Sequence, residues 1–481
     1  MIDTIFPTPK RLDIKEGDVC LPATIAIDHA PWAEYVTTLR DSLERISEQK
    51  IGEGEGGVLL HYDPTCPKGH YVFDSTEGIR LTASDDDGIL YAIATAIHAI
   101  KVTKDGIQCR HAYIEDYPDK EYRTLMVDLA REWHAAYTVH RYIDVCFMLK
   151  VKYLHLHFID DQRYTLPSRI MPRLNEGCRH YSFEEIQAMR DYAKARGVIL
   201  IPEFEAPGHA AFLVRAYPEY FANHMMGEND ASFVTEDGAV VSAANLLCAG
   251  NPTTKDAIRR LLGEICEMFP DSPYIHIGGD EANIKAWNGC SECIRYMKEN
   301  QIEDVYDLYS DFVGQVAQMV LDYGKTPIVW EGFPKKGAHR VPKETVVIAW
   351  ESHYQLVGDL LEAGFQVING SWRPLYIVPG YKHGKWGVEE ILAWNVYNWQ
   401  HWWEKSEARL NPIHIAPTDQ LIGAQLSSWE CTYEQEIGKI MENLAALSER
   451  TWNLRRHWTD EEFHIRLIGT LRTVTRLIRD V

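Results

Sequence analysis

Short apolar runs rich in Val and Ile alternate with longer amphipathic segments from about residue 123 to residue 430. Near-continuous apolar runs of this length are typical of parallel strands that are covered on both faces. The candidate strands are RTLMVDLA from Arg123, YLHLHFID from Tyr153, VILIPEFE from Val198, YIHIGG from Tyr274, PIVWEG from Pro327, VVIAWES from Val346, QVINGSW from Gln366 and IGAQLSSWE from Ile422. Such strands in alternation with helices predict an α/β fold, a (β/α)8 TIM barrel.

The segments between these runs have the apolar period of amphipathic helices. In TTKDAIRRLLGEICEMF, apolar residues recur at i, i+3, i+4 and i+7 from Ile258, and Thr253 with Asp256 forms a predicted capping box. A second helix is predicted between Ser182, as its N-cap, and Gly197. We expect these helices to surround the barrel, although residues 379–417 fit the alternation poorly.

The first part of the chain has a different pattern. HYVFDSTEGIRLTAS predicts a β-hairpin, and DDGILYAIATAIHAI predicts a helix that covers one face of a small sheet. We therefore expect a small α+β domain over residues 1–117. The catalytic barrel, with a C-terminal helical tail, is expected over residues 118–481.

The composition and net charge of the chain exclude some classes of binding partner. Hydrophobic residues make up 46% and charged residues 25% of the chain, which is typical of a globular protein. The formal net charge of −21 argues against nucleic acid or an anionic membrane as a partner. The N-terminus lacks an apolar signal-peptide core and no membrane-spanning run is apparent, so a cytoplasmic location is expected. The oligomeric state is not determined by the sequence.

The ten cysteines are scattered, and reduced thiols are the favoured interpretation. Cys290 and Cys293 form a single CxxC pair without a second pair nearby. Such a pair is weak support for a metal site, and two incidental thiols remain the favoured interpretation.

The predicted carboxyl ends of the strands carry carboxylates and aromatic residues together, and catalytic residues lie at this end of a barrel. Indole rings stack against the apolar faces of sugars, and hydroxyl groups pair with charged side chains, so the combination favours a carbohydrate site. The residues are Arg131, Asp160, Asp161, Glu205, His209, Asp280, Glu281, Trp330, Trp350, Trp372, Tyr376, Trp429 and Glu430.

The segment HIGGDE closely resembles the HxGGDE signature of glycoside hydrolase family 20, the β-N-acetylhexosaminidases. LMVDLAREW, YLHLHFIDDQ, IPEFEAPGH and the tryptophan-bearing segments after residue 326 extend the resemblance over nearly the whole chain. The resemblance implies a retaining, exo-acting hydrolase for terminal non-reducing β-linked N-acetylglucosamine or N-acetylgalactosamine. It also implies substrate-assisted catalysis through an oxazolinium intermediate, without a cofactor or metal.

The resemblance assigns the catalytic roles as follows. Glu281 is the general acid/base, Asp280 orients the substrate acetamido group, and Tyr376 donates a hydrogen bond to the acetamido oxygen. His209 orients Glu281 and is held by Asp160, for which the neighbouring Asp161 is the alternative. We also expect the charge of Asp280 to raise the pKa of Glu281.

The resemblance further implies substrate-binding roles. Arg131 grips the sugar hydroxyls O3 and O4, and Trp330, Trp350 and Trp429 wall the sugar-binding pocket. Core packing is the competing interpretation for each tryptophan. Glu430 is expected near the O4 and O6 hydroxyls.

Three departures from the family pattern affect substrate preference. Val378 stands where the family often has Asp, Glu430 is adjacent to Trp429 instead of two residues away, and Glu205 replaces a common Asp. The preference for gluco, galacto or 6-substituted sugars therefore stays open. The role of the aromatic run at residues 394–403, as pocket wall or packing surface, is also open.

Two alternatives remain at the level of sequence. His155 and His157 would share one face of a strand, and with His209 and Asp280 could form the site of a metal-dependent barrel hydrolase. A catalytically silent carbohydrate-binding protein is the other alternative. Binding alone does not require a positioned acid, so the presence of Asp280, Glu281 and Tyr376 together argues against a silent binding protein.

Overall fold

The computed structural model describes residues 5–223, 245–380 and 386–479, together with the backbone of residues 232–234 and 240–242. The first unit is a mixed β-sheet with two helices. Its elements are β1 (Arg11–Leu21), β2 (Thr24–Ile27), α1 (Ala33–Ser47), β3 (Gly52–Glu53), β4 (Val58–Tyr62), β5 (Tyr71–Asp74), β6 (Ile79–Ala83), α2 (Asp86–Ala99), β7 (Lys101–Thr103) and β8 (Gly106–Asp116).

The predicted hairpin and helix of this unit are confirmed. Strands β5 and β6 pair antiparallel, and α2 follows them. Asp85 is the N-cap of helix α2, where its side chain accepts the Gly88 amide, and nearly all residues of the helix are buried. A helix that is apolar on every side must be covered on every side. Strands β5 and β6 cover one side of α2. The second unit contacts another side, where Arg123 donates a hydrogen bond to the Tyr91 hydroxyl at 2.7 Å.

The second unit contains the remaining strands and helices. Its strands are β9 (Tyr122–Asp128), β10 (Tyr153–His157), β11 (Ile199–Glu203), β12 (Ser232–Val234), β13 (Val240–Ser242), β14 (Tyr274–His276), β15 (Thr326–Trp330), β16 (Val346–Ala349), β17 (Gln366–Asn369), β18 (Tyr376–Ile377), β19 (Asn398–Trp399), β20 (Ile413–His414) and β21 (Leu421–Ser428). Its helices are α3 (Ala136–Met148), α4 (Phe183–Lys194), α5 (Ala211–Ala216), α6 (Pro218–Phe221), α7 (Pro252–Met268), α8 (Ser291–Glu299), α9 (Val305–Asp322), α10 (Val357–Glu362), α11 (Trp372–Leu375), α12 (Val388–Ala393), α13 (Tyr433–Trp452) and α14 (Asp460–Ile478).

Parallel strands close into a barrel in the order β9, β10, β11, β14, β15, β16, β17 and β21. Strand β21 completes the circle by pairing in parallel with both β17 and β9. All eight predicted strands are present, because each apolar run is covered by the barrel interior on one face and by helices on the other. The predicted (β/α)8 barrel, preceded by a small α+β domain, is confirmed.

The helix predictions hold except at one cap. Ser182 and Glu185 form a capping box at the start of α4. For α7, however, the predicted box of Thr253 and Asp256 is wrong. Asn251 is the N-cap, and its side chain accepts the Thr253 amide at 2.9 Å. Pro252 occupies the first helical turn, where its missing N–H costs nothing, so the helix begins before Thr253.

Within the described residues, every helix is too short or too polar to span a lipid bilayer. The tail that was predicted to be helical forms α13 and α14, and α13 packs along the barrel strands β9 and β21.

A buried charge cluster joins the two units. Lys150, in the loop before β10, donates to the Tyr71 hydroxyl at 2.8 Å and lies 3.6 Å from Asp116. Asp116 also accepts hydrogen bonds from Tyr71 and from the Trp452 indole, at 2.7 and 2.8 Å. Burial lowers the pKa of Lys150 to about 8, and the charge of Asp116 opposes this shift. The carboxylate thus connects the small sheet, the barrel and α13.

We expect Asp116→Asn to lower the free energy of unfolding by about 3 kcal/mol at pH 7, because removal of one partner leaves a buried charge uncompensated. The measurement is urea unfolding followed by circular dichroism. The adjacent Glu115 is half-exposed and 3.8 Å from Arg11, so Glu115→Gln is the matched control with an effect of about 0–1 kcal/mol. Equal effects in the two variants would contradict the role given to Asp116.

Candidate active site

A cavity of about 390 Å³ opens at the carboxyl ends of the barrel strands. Its wall contains Arg131, Asp280, Glu281, Trp330, Trp350, Glu351, Trp372, Tyr376, Val378, His401, Trp402, Trp403, Trp429 and Glu430. Every residue with a predicted catalytic or substrate-binding role is in this lining except Asp160 and His209, which lie behind Glu281. Asp161 and Glu205, from the wider set at the strand ends, also lie outside it. Residues at or after the carboxyl ends of six of the eight barrel strands therefore meet in one place, as the closure of the barrel allows.

The backbone after β14 turns both acidic side chains toward the cavity. Gly278 and Gly279 have φ values of +67° and +94°, which glycine adopts without strain. A Cβ at Gly278 would lie 1.9 Å from Glu205 Oε1, so a side chain here would have to displace this buried carboxyl. Glu281 itself has a φ of +43°. Strained backbone of this kind is concentrated at functional sites.

A relay of three residues leads from the buried barrel to Glu281. Asp160 is 1% exposed, and its Oδ1 lies 3.5 Å from His209 Nδ1. On its other side, His209 Nε2 is 3.3 Å from Glu281 Oε2. Of the two aspartates left open by the sequence, it is Asp160 that faces His209. Asp161 instead accepts the Ala211 amide at 2.9 Å and thereby holds the start of α5.

The relay reverses the pKa shift that we expected for Glu281. Burial raises the pKa of Glu281, but the hydrogen bond and the charge of His209 outweigh it, and the pKa is lowered. Burial likewise lowers the pKa of His209, whereas its bonds to Asp160 and Glu281 hold the pKa well above its usual value. The prediction of a raised Glu281 pKa is wrong, because it considered the adjacent Asp280 and not the imidazolium that the fold brings closer.

Asp280 has the opposite shift. Burial raises its pKa to about 6, and the charges of Glu281 and Glu203 add to the effect. Glu205, which is buried beside it, has a pKa well above its usual range because of burial and the charge of Asp280. The Glu205 side chain accepts the Gly279 amide at 3.2 Å. The two consecutive acids, Asp280 and Glu281, are therefore placed in different electrostatic surroundings.

Arg131 is held in the cavity wall by carboxylates. Its Nη2 lies 2.7 Å from Asp160 and its Nη1 lies 3.2 Å from Asp128. Its Nε is 3.8 Å from Glu430, and the guanidinium lies 5.1 Å from the centre of the Trp429 ring. Asp128 and Asp160 are buried, so this is not a surface ion pair. The guanidinium is fixed in orientation and can offer two parallel donors to a ligand.

Aromatic rings form most of the remaining wall. The Trp330 indole donates to Glu203 at 2.7 Å, and the Trp350 indole donates to the Glu331 carbonyl at 2.9 Å. The Trp330 and Trp350 rings are 6.4 Å apart at 70°, which gives the cavity two faces at a steep angle. Tyr376 is nearly parallel to Trp350, at 15°, and stacks on Trp372 at 4.7 Å. Such rigid apolar faces suit the C–H surfaces of a sugar.

The aromatic run at residues 394–403 serves both of the purposes that the sequence left open. Trp394 and Trp399 are buried, and the Trp399 indole donates to the Ala349 carbonyl at 2.9 Å. His401, Trp402 and Trp403 instead line the cavity. The run therefore packs on the barrel through Trp394 and Trp399 and extends the cavity wall with residues 401–403.

The histidines of the proposed metal site belong to a network beneath the cavity floor. His155 Nε2 lies 3.1 Å from Glu203, and His157 bonds the same carboxylate. His157 also lies 3.0 Å from Asp160, and His276 lies 2.8 Å from Glu203. These histidines are fully buried below Trp330. They are directed at Glu203, not at the cavity, so the predicted grouping of His155 and His157 with His209 and Asp280 is not formed.

Sequence reasoning missed Glu351. This residue lines the cavity, is 6% exposed, and its Oε2 has no hydrogen-bond partner within the described part of the chain. Burial and the nearby charges of Glu281 and Glu331 raise its pKa to about 9. The signal was present in the sequence: an acid follows Trp350 directly at the end of β16, as Asp280 and Glu281 follow β14.

Comparison with known families and proteins gives consistent matches. The model described as "Glycosyl hydrolase family 20, catalytic domain" matches residues 121–455, and "Glycosyl hydrolase family 20, domain 2" matches residues 3–117. A Beta-hexosaminidase of Vibrio furnissii is 27% identical over 413 residues, 80% of this chain and 66% of that protein. A Beta-hexosaminidase of Porphyromonas gingivalis is 26% identical over 338 residues. This alignment covers 64% of the chain and 42% of that relative's length.

Solved structures resemble the fold. An exo β-N-acetylglucosaminidase of Vibrio harveyi, in complex with N-acetylglucosamine, has a TM-score of 0.80 at 21% identity over 99% of this chain and 78% of that chain. A β-N-acetylhexosaminidase of Bacteroides fragilis has a TM-score of 0.80 at 23% identity, over 97% of this chain and 94% of that chain. At these identities the likeness shows the fold alone.

We expect Gly278→Ala to destabilise the protein far more than Gly364→Ala. Both glycines have positive φ, at +67° and +93°, so each substitution costs about 1–2 kcal/mol in backbone strain. Only at Gly278 would the new methyl group also meet Glu205, whereas nothing lies within 4 Å at Gly364. Thermal unfolding of the two variants measures the difference. Equal Tm values would show that Glu205 moves aside at no cost.

We expect Glu351→Gln to reduce the loss of stability between pH 5 and pH 8. The unfolded Glu351 releases its proton near pH 4.5, whereas the folded side chain keeps it to about pH 9. The unfolded state therefore binds fewer protons over this range, and stability falls as the pH rises. Glutamine cannot ionise and removes this contribution. Tm at the two pH values is compared with that of Glu303→Gln, which alters an exposed acid; identical pH dependence in both variants would contradict the raised pKa.

Proposed function

The chain belongs to glycosyl hydrolase family 20, and we propose that it is an exo-acting β-N-acetylhexosaminidase. The proposed substrates are glycosides with a terminal, non-reducing β-linked N-acetylglucosamine or N-acetylgalactosamine, cleaved with retention of configuration. The relatives of Vibrio harveyi and Streptomyces plicatus were crystallised with N-acetylglucosamine, which supports a small carbohydrate as ligand. The chain spans 66% and 42% of the first two curated relatives, so its substrates are part of the proposal.

One observation carries this proposal: Glu281 stands at the end of the Asp160–His209 relay, half-exposed to the cavity, with Asp280 buried next to it. A glycosidase needs a carboxyl that can both give and take a proton, and the relay supplies a partner for either state. A binding protein would have no use for this coupling. The arrangement therefore favours catalysis over silent binding.

We propose that Glu281 protonates the leaving oxygen while the bond from C1 to that oxygen breaks. In the free protein the Nε2 atom of His209 lies 3.3 Å from the Oε2 atom of Glu281, so a proton can pass between them. Because the pKa of Glu281 is lowered and that of His209 is raised, His209 holds the proton until a substrate oxygen can accept it from Glu281. The carboxylate left behind then takes a proton from the water that attacks C1.

The nucleophile in this proposal is the acetamido oxygen of the substrate, as in the substrate-assisted enzymes of this family. Its attack on C1 gives a positively charged oxazolinium ring. Asp280, nearly buried in the wall, accepts the acetamido N–H and stabilises this charge as a carboxylate. Tyr376 donates to the acetamido oxygen and aims it at C1. The pKa of Asp280 near 6 implies that this function requires a pH above that value.

Arg131 and Glu430 are proposed to bind the hydroxyls of the sugar ring, and the Trp330, Trp350 and Trp429 rings to enclose its apolar faces. Val378 lies in the lining where the family often has an acid. The cavity therefore offers no charged side chain at position 378. The experiment accordingly compares the gluco and galacto epimers of the substrate.

The experiment is hydrolysis of p-nitrophenyl β-N-acetylglucosaminide and its galacto epimer. We expect Glu281→Gln to lower kcat by about a hundred- to ten-thousand-fold, because the acid is lost while the shape is kept. Asp280→Asn should lower kcat as well, since the oxazolinium charge is no longer compensated. Proton NMR of the first product formed should show the β-anomer.

Glu303→Gln, which changes an exposed acid of the same chain, serves as the control and should retain full activity. Activity that survives in Glu281→Gln would remove the proposed acid. Binding of N-acetylglucosamine without turnover of either aryl glycoside by the wild type would favour the silent binding protein instead. An α-anomer as first product would exclude the substrate-assisted route.

A further inference from the structure

Three cysteines of the second unit converge outside the active site. Cys248, Cys290 and Cys293 are buried, and the Sγ atom of Cys248 lies 3.7 Å from the Sγ atoms of both other residues. All three sulfur atoms lie within 4.8 Å of one another. The CxxC pair is thus joined by a third thiol from a distant part of the chain.

The spacing of the sulfur atoms distinguishes between the possible roles of such a cluster. A disulfide requires sulfur atoms about 2.05 Å apart. Thiolates that share a tetrahedral zinc ion, each about 2.3 Å from the metal, lie about 3.8 Å from one another. The two distances of 3.7 Å match two edges of such a tetrahedron.

The backbone around the cluster brings the three thiols together. The Gly250 amide bonds Cys248. A Cβ at Gly250 would lie 2.3 Å from the Glu292 carbonyl oxygen, so glycine is needed for this close approach. Cys290 is also the N-cap of α8, where the helix dipole stabilises a thiolate.

A cation stands near the cluster. Lys255 interacts electrostatically with Cys293 and Cys248, and its ammonium group lies 3.7 Å from the centre of the Tyr296 ring. Three thiolates around a divalent ion carry a net charge of −1, which this lysine would offset. The cluster therefore has soft ligands and a nearby counter-charge, which suit a soft divalent cation.

We propose that Cys248, Cys290 and Cys293 are the protein ligands of a structural Zn²⁺ site. Within the described residues they supply three ligands, which leaves the fourth tetrahedral position to another donor. Such a site is independent of the proposed hydrolase chemistry, which uses none of these residues.

The position of the site gives it a structural purpose. The segment with Cys248 is bonded to the loop of His209, because the Leu247 amide donates to the Pro207 carbonyl at 2.9 Å. It is also bonded to the segment that follows Glu281, because the Trp287 indole donates to the Leu247 carbonyl at 2.9 Å. A metal bound by Cys248 and by the CxxC pair would tie together the two loops that hold His209 and Glu281.

The first measurement is the zinc content of the full-length chain, by mass spectrometry of the elements, after purification without metal resins or chelators. We expect about one zinc ion per chain in the wild type and its loss in Cys248→Ser and Cys293→Ser. Cys146→Ser is the matched control, since Cys146 is fully buried in α3 away from the cluster, and should retain the metal. X-ray absorption at the zinc edge should show sulfur at about 2.3 Å.

A second measurement uses only the wild type, so that it does not depend on the folding of variants. Removal of zinc with a strong chelator should lower Tm, and added ZnCl2 should restore it. A wild type that binds no zinc even from added ZnCl2, or whose intact mass is lower by the two hydrogens of a disulfide, overturns the proposal. Equal zinc content in the wild type and in both cluster variants would also overturn it. The outcomes of these zinc measurements leave the proposed glycoside hydrolysis untouched, because hydrolysis is measured in a separate assay.

Discussion

A carboxylate buried inside the barrel determines how the charged groups between it and the cavity are arranged. Glu203 is fully buried and lies against His157 and the Trp330 indole. Burial raises its pKa, but the charge of His157 outweighs this and holds the pKa well below its usual value. The His157 pKa is in turn raised to about 10: burial lowers it, and Glu203 raises it more strongly. Since an isolated buried charge costs many kcal/mol, neither residue can be ionised without the other.

The need of each buried charge for an oppositely charged partner extends from Glu203 to the cavity. His157 lies against Asp160, Asp160 against His209, and His209 against Glu281. The signs of the charges alternate along this row, so each group favours the ionised form of the next. The protonation of Glu281 is therefore coupled to groups in the middle of the barrel. In the proposed mechanism, the proton that His209 passes through Glu281 to a substrate oxygen leaves Glu281 ionised and His209 neutral, so only the charge of His209 changes.

The neighbouring acids Asp280 and Glu281 differ because this row reaches only one of them. Glu281 faces the imidazolium of His209, whereas Asp280 is buried beside Glu205 and has a raised pKa. Two carboxyl groups in consecutive positions thus acquire different proton affinities: Glu281 has the lowered pKa beside the imidazolium of His209, and Asp280 becomes a carboxylate only above about pH 6. The glycines before them make this possible, because Glu205 occupies the space that a side chain at Gly278 would need.

The sequence alone determined the barrel, because eight apolar runs are long enough to be buried strands and too short to be helices. It also determined that acids and tryptophans stand at the strand ends, since these positions follow directly from the runs. The tertiary structure alone decided the direction of the Glu281 pKa, the cavity contacts of Trp402, and the approach of Cys248 to Cys290 across 42 residues. Local patterns report burial and periodicity. Distances between residues far apart in the chain depend on how the loops pack, and pKa shifts and ligand clusters depend on those distances.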